Sequence, residues 1–504
     1  MLAGSINTNI DALYALDALQ NTANTTNTLE QQLSTGQSIN SPADNPAGYI
    51  AAQGFTTQIG GTTQAISNVN QAVALVQTAD GAVTQQVNIL QQIRNIADQA
   101  ANGINSAQQL QSLQGVVSQL QTQVTTIANQ STFSGLNLLN GTFNGVQFQV
   151  GASEGQTIAL SIGSTVADQL GVNQTSASAT GLYKTDGSAS GGVGDATGNS
   201  YAITNGGTGA FTTGNVAVSG SAGAQNVNVA AKTESAQDIA SSVNAVTANT
   251  NVSATADTSV AFAVTSGSVS FVLGNGNDGA NAQTNTANIS ATVTSDTQSG
   301  LQSLVSSINA ETGTTGVTAT VNSSNDLVLT QAQGDNISIT GFAGTGTLKA
   351  GGSTAITLGT GGGDKTSATV QGVVTLQSNQ TFALSSTGAT ALGLNAASSL
   401  STLSAVNVDT ISGANSALSV VDFALQQLEN TGAQLGAVQQ RLQATASNLQ
   451  TTSTSLATAR SVVQDANIPQ VTTQLTQQEI LQQAGVSALA QSSTLEQSFL
   501  KLLQ

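Results

Sequence analysis

The side chains of this sequence best suited to acid–base chemistry are its 25 Asp and Glu carboxylates. Paired across a sugar ring, two of them could hydrolyse a glycosidic bond, but no spacing singles out a pair. The chain has no His and no Cys, which excludes imidazole and thiol chemistry, disulfides and His/Cys metal sites. Leu273-Gly274-Asn275-Gly276-Asn277-Asp278 has the look of one turn of a calcium-binding β-roll. Such sites need stacked copies, and this is one copy in a Gly/Asn-rich loop. No catalytic residue, metal ligand or cofactor is expected.

The eight cations argue against other ligands. Arg94, Lys184, Lys232, Lys349, Lys365, Arg441, Arg460 and Lys501 are scattered singly, and the formal charge is −17. Nucleic acid and anionic membrane both require clustered cations, so neither is an expected partner. Charged residues make up only 7% of the chain, which leaves Ser, Thr, Asn, Gln and Gly to provide the polar surface. Met1-Leu2-Ala3-Gly4-Ser5 has no basic segment leading into an apolar core, so export without a cleaved Sec signal is expected. No run approaches the roughly 18 apolar residues of a membrane span. Absence of Cys suits a protein that crosses an oxidising space or travels unfolded. What remains is non-covalent: apolar side chains at regular spacing.

The longest regular spacing lies at Ala414, Val421, Leu428, Leu435, Leu442, Leu449, Leu456 and Val463, joined by Ile411, Leu418 and Leu425. Seven-residue steps of this kind predict a long helix packed along another helix, a rod of roughly 75 Å. Its partners are near the other end. Val69, Val76, Val83, Leu90 and Ala97 repeat every seven residues, with Ile59, Ile66, Val73 and Val87 as a companion row that has a gap at Asp80. A third row runs Leu110, Leu113, Val117, Leu120, Val124, Ile127. Seams split between the two ends imply a chain that folds back on itself.

Asp44-Asn45-Pro46 is a cap followed by a first-turn proline, and a bend is expected near Gly60-Gly61. Asn102-Gly103 marks the end of that helix. Val146, Phe148 and Val150 alternate with polar neighbours, as do Ile158, Leu160 and Ile162, which predicts a β-hairpin. From 179 to about 402 the composition turns to Gly, Ser, Thr, Ala and Val in short alternating runs. A repeat offset by 65 residues sits there: Ile239, Val243, Asn244, Ala245, Val252 and Ala254 match Leu304, Ile308, Asn309, Ala310, Val317 and Ala319. Two similar α+β units are expected, at about 235–275 and 300–340. Both termini carry apolar stripes that a single copy leaves uncovered: Leu2, Ile6, Ile10, Leu13, Leu16, Leu29 and Leu33 at the start, and Val471, Leu475, Ile480, Leu481, Val486, Leu489, Leu495, Phe499, Leu502 and Leu503 at the end. Exposed faces of this kind mark interfaces.

Two collinear stretches resemble bacterial flagellin. At the start they are INTNIDAL, LSTGQSINSPADNPAG, TTQIGGTTQAISNVNQAVALVQTADGAV, FSGLNLLNG and QVGASEGQTIAL; at the end, VDFALQQLENTGAQLGAVQQRL and QQEILQQAGVSALAQSSTLEQSFLKLL. The repeat units also resemble one found in the outer domains of many flagellins. The fold class expected is therefore multidomain α+β: a long coiled-coil-like helical bundle built from both chain ends, a β-hairpin, and β-rich outer domains inserted in the middle. The resemblance implies filament inner-core helices at 1–44 plus 460–504, a rod at 45–178 plus 403–459, and an outer, surface-exposed region at 179–402.

It also implies a non-enzymatic subunit that polymerises with itself into an extracellular filament for swimming. Further partners would be the flagellar export apparatus, an export chaperone, the filament cap and hook-junction proteins. Seam and assembly positions are Val69, Val76, Val83, Leu90, Leu110, Val117, Leu120, Val124, Val421, Leu428, Leu435, Leu442, Leu449, Leu456, Leu489, Phe499 and Leu502. Where family members engage the vertebrate innate receptor for flagellin, this chain has Gln92, Ile96 and Val116. Gln37-Ser38 departs from the family by lacking the usual basic residues. Metallopeptidase-like members need a His-rich zinc motif that is absent here. A hook–filament junction protein with similar ends is the nearest alternative. A secreted adhesin would leave the paired terminal heptads unexplained.

Overall fold

A computed structural model describes residues 10–102, 105–176, 181–183, 214–229, 235–275, 284–322, 324–350, 356–361, 367–392 and 394–503. Helices α1 (Ile10–Thr35), α2 (Pro46–Ala101) and α3 (Ala107–Gln130) come first. Short helices α4 (Ala236–Asn244), α5 (Thr247–Thr250), α6 (Gln298–Ala310), α7 (Thr312–Thr315) and α8 (Ser386–Leu392) lie among strands. The chain then returns through α9 (Ile411–Gln464) and α10 (Ile468–Leu503). It divides into a terminal unit (Met1–Thr78, Asn144–Ser161, Leu435–Gln504) and a central unit (Ala79–Phe143, Ile162–Gln434).

The start of α2 follows from local chemistry. Asn45 Oδ1 accepts from Gly48 N at 3.0 Å, and Pro46, which has no N–H to leave unsatisfied, takes the first helical position. Asp44 Oδ2 gathers the preceding loop, accepting from Ser41 N at 2.7 Å, Asn40 N at 2.9 Å and Ser41 Oγ at 3.1 Å. Those donors, Ser41 and Asn40 backbone first, hold its carboxyl below the usual range. Helix α2 remains helical through Gly60-Gly61. What Gly61 provides there is closeness: a Cβ on it would sit 2.8 Å from Ala152 Cβ in the hairpin turn. Helix α3 opens on a capping box between Ser106 and Gln109.

The rows of α2 differ from expectation in one respect. Val69, Val76, Val83, Leu90 and Ala97 are buried, but Ile59, Ile66, Val73 and Val87 are only half-buried. The buried companion row is Ala65, Ala72, Ala79, Gln86, Ile93 and Ala100. This row, in which four of six residues are alanine, is fully covered, while the bulkier row stands at the edge of the contact. Asp80 is thus no gap in the core; it stands on the flank, half-exposed.

Helix α9 repeats the arrangement. Ala414, Val421, Leu428, Leu435 and Leu442 are buried with Ala417 and Ala424 as companions, and Leu418 and Leu425 are half-buried. Below Leu442 the seam opens, leaving Leu449, Leu456 and Val463 half-buried. On α3, Leu110, Val117 and Val124 are buried together with Gln121 and Ala128, whereas Leu120 is half-buried.

Polar side chains complete the packing of the central unit. Gln86 Nε2 donates to Val124 O at 2.9 Å and Thr165 O at 3.2 Å. Gln121 Nε2 donates to Leu403 O at 2.7 Å and Val406 O at 3.0 Å, and Gln114 Oε1 accepts from Val408 N at 2.7 Å. The amides of Gln121 and Gln114 satisfy carbonyls and an N–H of the irregular return segment, which would otherwise be costly to bury.

In the terminal unit, Val146–Gln149 pairs with Thr157–Leu160 as the expected antiparallel hairpin, with Phe148 opposite Ile158. Asn68 Nδ2 donates to Gln149 O at 3.1 Å and ties the hairpin to α2.

The β-rich part of the central unit begins at Gly171–Ser176, ahead of residue 179, because that strand pairs with both Val373–Ser378 and Ser399–Thr402. They belong to an eight-stranded sheet with Ser253–Val264, Leu327–Gln331 and Val317–Val321. A five-stranded sheet is centred on Ile337–Gly344, and a three-stranded one on Gly214–Gly220. The two 65-offset segments make the same bonds. Asn244 exchanges two hydrogen bonds with Ala254 (2.8 and 2.9 Å), and Asn309 does the same with Ala319 (2.7 and 2.9 Å). Thr247 and Thr312 donate to Val252 O and Val317 O, both at 2.9 Å. Asn251 and Gly316 take the left-handed turn between helix and strand, at φ 63° and 66°. Each copy has its own core, around Ile239 and Val252 in the first and Leu304 and Val317 in the second.

Candidate assembly interface

The two chain ends form one antiparallel pair. Ser38 N donates to Gln464 O at 2.7 Å and Ala466 N to Gly36 O at 2.9 Å, with a bridge between Gln37 and Asp465. At the positions where basic residues were the family expectation, Gln37 Oε1 accepts from Gln464 Nε2 at 3.0 Å and Ser38 Oγ donates to Gln464 O at 3.1 Å. These bonds set α1 and α10 side by side. Leu19, Thr26 and Leu29 of α1 face inward, as do Val471, Leu475, Gly485 and Leu489 of α10. A Cβ on Gly485 would lie 3.5 Å from Leu19 Cδ1, so a small residue is what lets the helices meet.

Other apolar side chains point the other way. Ile10, Leu13, Tyr14 and Leu16 on α1, and Ile480, Leu481 and Val486 on α10, are exposed, Tyr14 at 72% and Ile480 at 61%. A helix pair that buries one apolar face internally and presents a second outside has that second face arranged for another molecule. Val462 on α9 is 81% exposed and Ile50 on α2 also stands free. Leu2 and Ile6 lie outside the described residues, as do the side chains of Phe499 and Leu502. Residues 276–278 of the calcium-loop-like run also fall outside them.

The receptor-equivalent positions are all in the central unit. Gln92 and Val116 are exposed and Ile96 is half-buried. Arg94, the cation nearest Gln92, is already engaged by Asp422 at 2.6 Å and Asp98 at 3.5 Å. The hydrogen bond and charge of Asp422 raise its pKa further above the ordinary value. Periodicity alone could not have revealed this link across 328 residues, nor the buried Gln86, Gln114 and Gln121 contacts.

Comparison with known proteins places this geometry in a family. The profile described as bacterial flagellin N-terminal helical region matches residues 6–144, and that of the C-terminal helical region matches 418–503. The B-type flagellin of Pseudomonas aeruginosa PAO1 is 34% identical over 521 aligned residues, covering 100% of both chains. This chain belongs to the flagellin family. The flagellin hook IN motif matches residues 279–333, overlapping the second repeat copy. Flagellin B of Vibrio anguillarum is 38% identical over 141 residues, 28% of this chain and 38% of that one. Among solved structures, FliC from Burkholderia pseudomallei aligns over 73% of this flagellin at a TM-score of 0.29 and 22% identity. The junction protein FlgL from Legionella pneumophila aligns over 82% at 0.32 and 13%; scores this low do not separate the two kinds of protein. Two terminal profiles and a full-length flagellin relative do, in favour of a filament subunit over the junction alternative. The family is a structural one, and its members are extracellular components of the flagellum.

Proposed function

We propose that the two ends of this flagellin, rather than its β-rich middle, drive its polymerisation into the flagellar filament. The observation that carries this is the α1–α10 pair, which buries one apolar face between its helices and leaves a second, carrying Ile10, Leu13, Tyr14, Leu16, Ile480, Leu481 and Val486, exposed. Burying such a face contributes roughly 25 cal/mol per Å² of apolar surface, and a helical polymer offers every copy the same cover. On this reading, 1–44 plus 460–504 form the filament's inner core and 45–178 plus 403–459 its rod, with 179–402 projecting outward.

The subunit would reach its site through the flagellar export apparatus with a chaperone, and add beneath the filament cap beyond the hook-junction proteins. Removal of 470–504 is the decisive experiment. The truncated chain should remain monomeric under conditions where the full chain forms long filaments by electron microscopy. Filaments from the truncated chain would overturn the proposal. Removal of 179–402 should leave polymerisation intact.

A further inference from the structure

Two stripes in the terminal unit are complementary in a way that a single copy leaves unused. On α9, Leu449, Leu456, Arg460 and Val463 are spaced by seven, four and three residues, which places them on one helix face. All four are half-buried, where the seam that is closed as far as Leu442 has opened. On α1, Ile10, Leu13, Tyr14 and Asp17 share one face by the same rule, and all four are exposed. Each stripe is thus apolar with a single charge, and the charges are opposite.

Neither charge is answered by an ion pair within the chain among the described residues. Asp17 Oδ2 accepts only a long bond from Asn21 Nδ2, at 3.5 Å on the same helix. Arg460 belongs to none of the ion pairs formed, which are those of Arg94. In a chain with eight cations, an arginine set among half-buried leucines needs a carboxylate partner once that face is covered, because a covered charge without one is expensive.

We propose that in the polymer the α1 stripe of one copy lies on the α9 stripe of a second copy, with Asp17 paired to Arg460. The inference rests on the reading that the chain polymerises through its ends, and it adds which surfaces meet and what fixes their register. The apolar members of both stripes are buried by the contact, while the ion pair rejects misaligned neighbours, since like or unpaired charges at a closed interface cost more than a pair returns.

A charge swap tests this in the full-length chain. Asp17→Arg and Arg460→Asp, made singly, place like charges opposite each other and should each raise the critical concentration for salt-induced assembly about tenfold or more. Made together they restore an opposite pair at every contact of a homopolymer, and the critical concentration should return close to that of the wild type. Arg460→Gln, a gentler change, should raise the critical concentration less and weaken its dependence on NaCl. Far-UV circular dichroism of each monomer confirms that folding is unchanged. Single variants that assemble like the wild type, a double variant no better than the singles, or an unaffected Arg460→Gln chain would overturn the inference alone. A wild-type chain that forms no filament would overturn the polymerisation reading and this inference with it.

Discussion

Arg94 on α2 donates from Nε to Asp422 Oδ1 on α9 at 2.6 Å, joining residues from opposite ends of the chain. The guanidinium also meets Asp98, one turn along its own helix, at 3.5 Å. Both partners are about half exposed, so the pair contributes little to stability by itself. Its greater consequence is that the cation nearest Gln92 is committed to its own protein.

That commitment sharpens an expectation about recognition by the vertebrate innate receptor for flagellin, Toll-like receptor five. The family resemblance equates Gln92, Ile96 and Val116 with an Arg, a Leu and a Glu of strong agonists, and we propose that the equivalence holds. On that proposal two charge-assisted hydrogen bonds would be lost, each worth about 1.5–3 kcal/mol when buried, and Arg94 is already held by Asp422 and Asp98. Purified monomer should be roughly a hundredfold weaker than a strong agonist in a reporter-cell dose response. Gln92→Arg with Val116→Glu should recover part of the difference; equal potency of the unmodified chain would refute the assignment.

Along α9, the depth of burial sets the cost of a charge. Leu435 and Leu442 are buried, whereas Leu456 is half-buried where the seam opens. Leu435→Asp or Leu442→Asp removes a packed side chain and inserts a carboxylate without a partner, a loss of about 3–5 kcal/mol or more. Leu456→Asp leaves its charge in reach of water and should cost roughly 1–2 kcal/mol. Thermal melting of the full chain by circular dichroism ranks the three; equal midpoints would remove the seam assignment.

The long seams, the hairpin and the repeat were legible because each depends on a period that branched or bulky side chains print into the sequence. The innermost row of α2 was not. Alanine at 65, 72, 79 and 100 carries little hydrophobic signal, yet all four are buried. Gln86 in the same row reads as a surface residue, although it is fully buried. Its role depends on carbonyls supplied by α3 and by Thr165, partners that no local pattern names. At the chain ends, sequence located the apolar residues but could not say which would turn inward. Closeness at Gly485 and Thr26 decided that.

Gln86 offers a direct test of that hidden row. Gln86→Ala would leave Val124 O and Thr165 O without their donor and open a small void, for a loss of about 2–4 kcal/mol. Gln86→Glu should be worse near neutral pH, since a buried carboxylate cannot donate to two carbonyls. Denaturant melting reports both. A stability within error of the wild type for either variant would mean that the amide contacts are incidental.

Two aspartates should respond to pH in opposite directions. Burial, and then the nearby charge of Asp238, push Asp335 above its ordinary value of 3.8. A carboxyl raised in the fold adds stability that is fully present below its unfolded pKa and is lost as pH rises through the folded value. At pH 7 the ionised Asp335 is therefore held at a cost. Asp335→Asn keeps an acceptor for Gln331 Nε2, which lies 3.3 Å from Asp335 Oδ2, and removes that charge. The variant should melt slightly higher than the wild type at pH 7, with the gain vanishing near pH 3. Asp44 is the reverse case, its pKa lowered by the backbone N–H groups of Ser41 and Asn40. Its contribution is present above the unfolded pKa and disappears as pH falls through the folded value. Asp44→Ala should thus loosen the 40–44 loop at pH 7 and match the wild type in strong acid, with protease sensitivity of that loop as the local readout. An Asp335→Asn chain that melts lower at pH 7, or an Asp44→Ala loop no more sensitive there, would show that hydrogen bonding to these carboxylates outweighs, or fails to express, the electrostatics assigned to them.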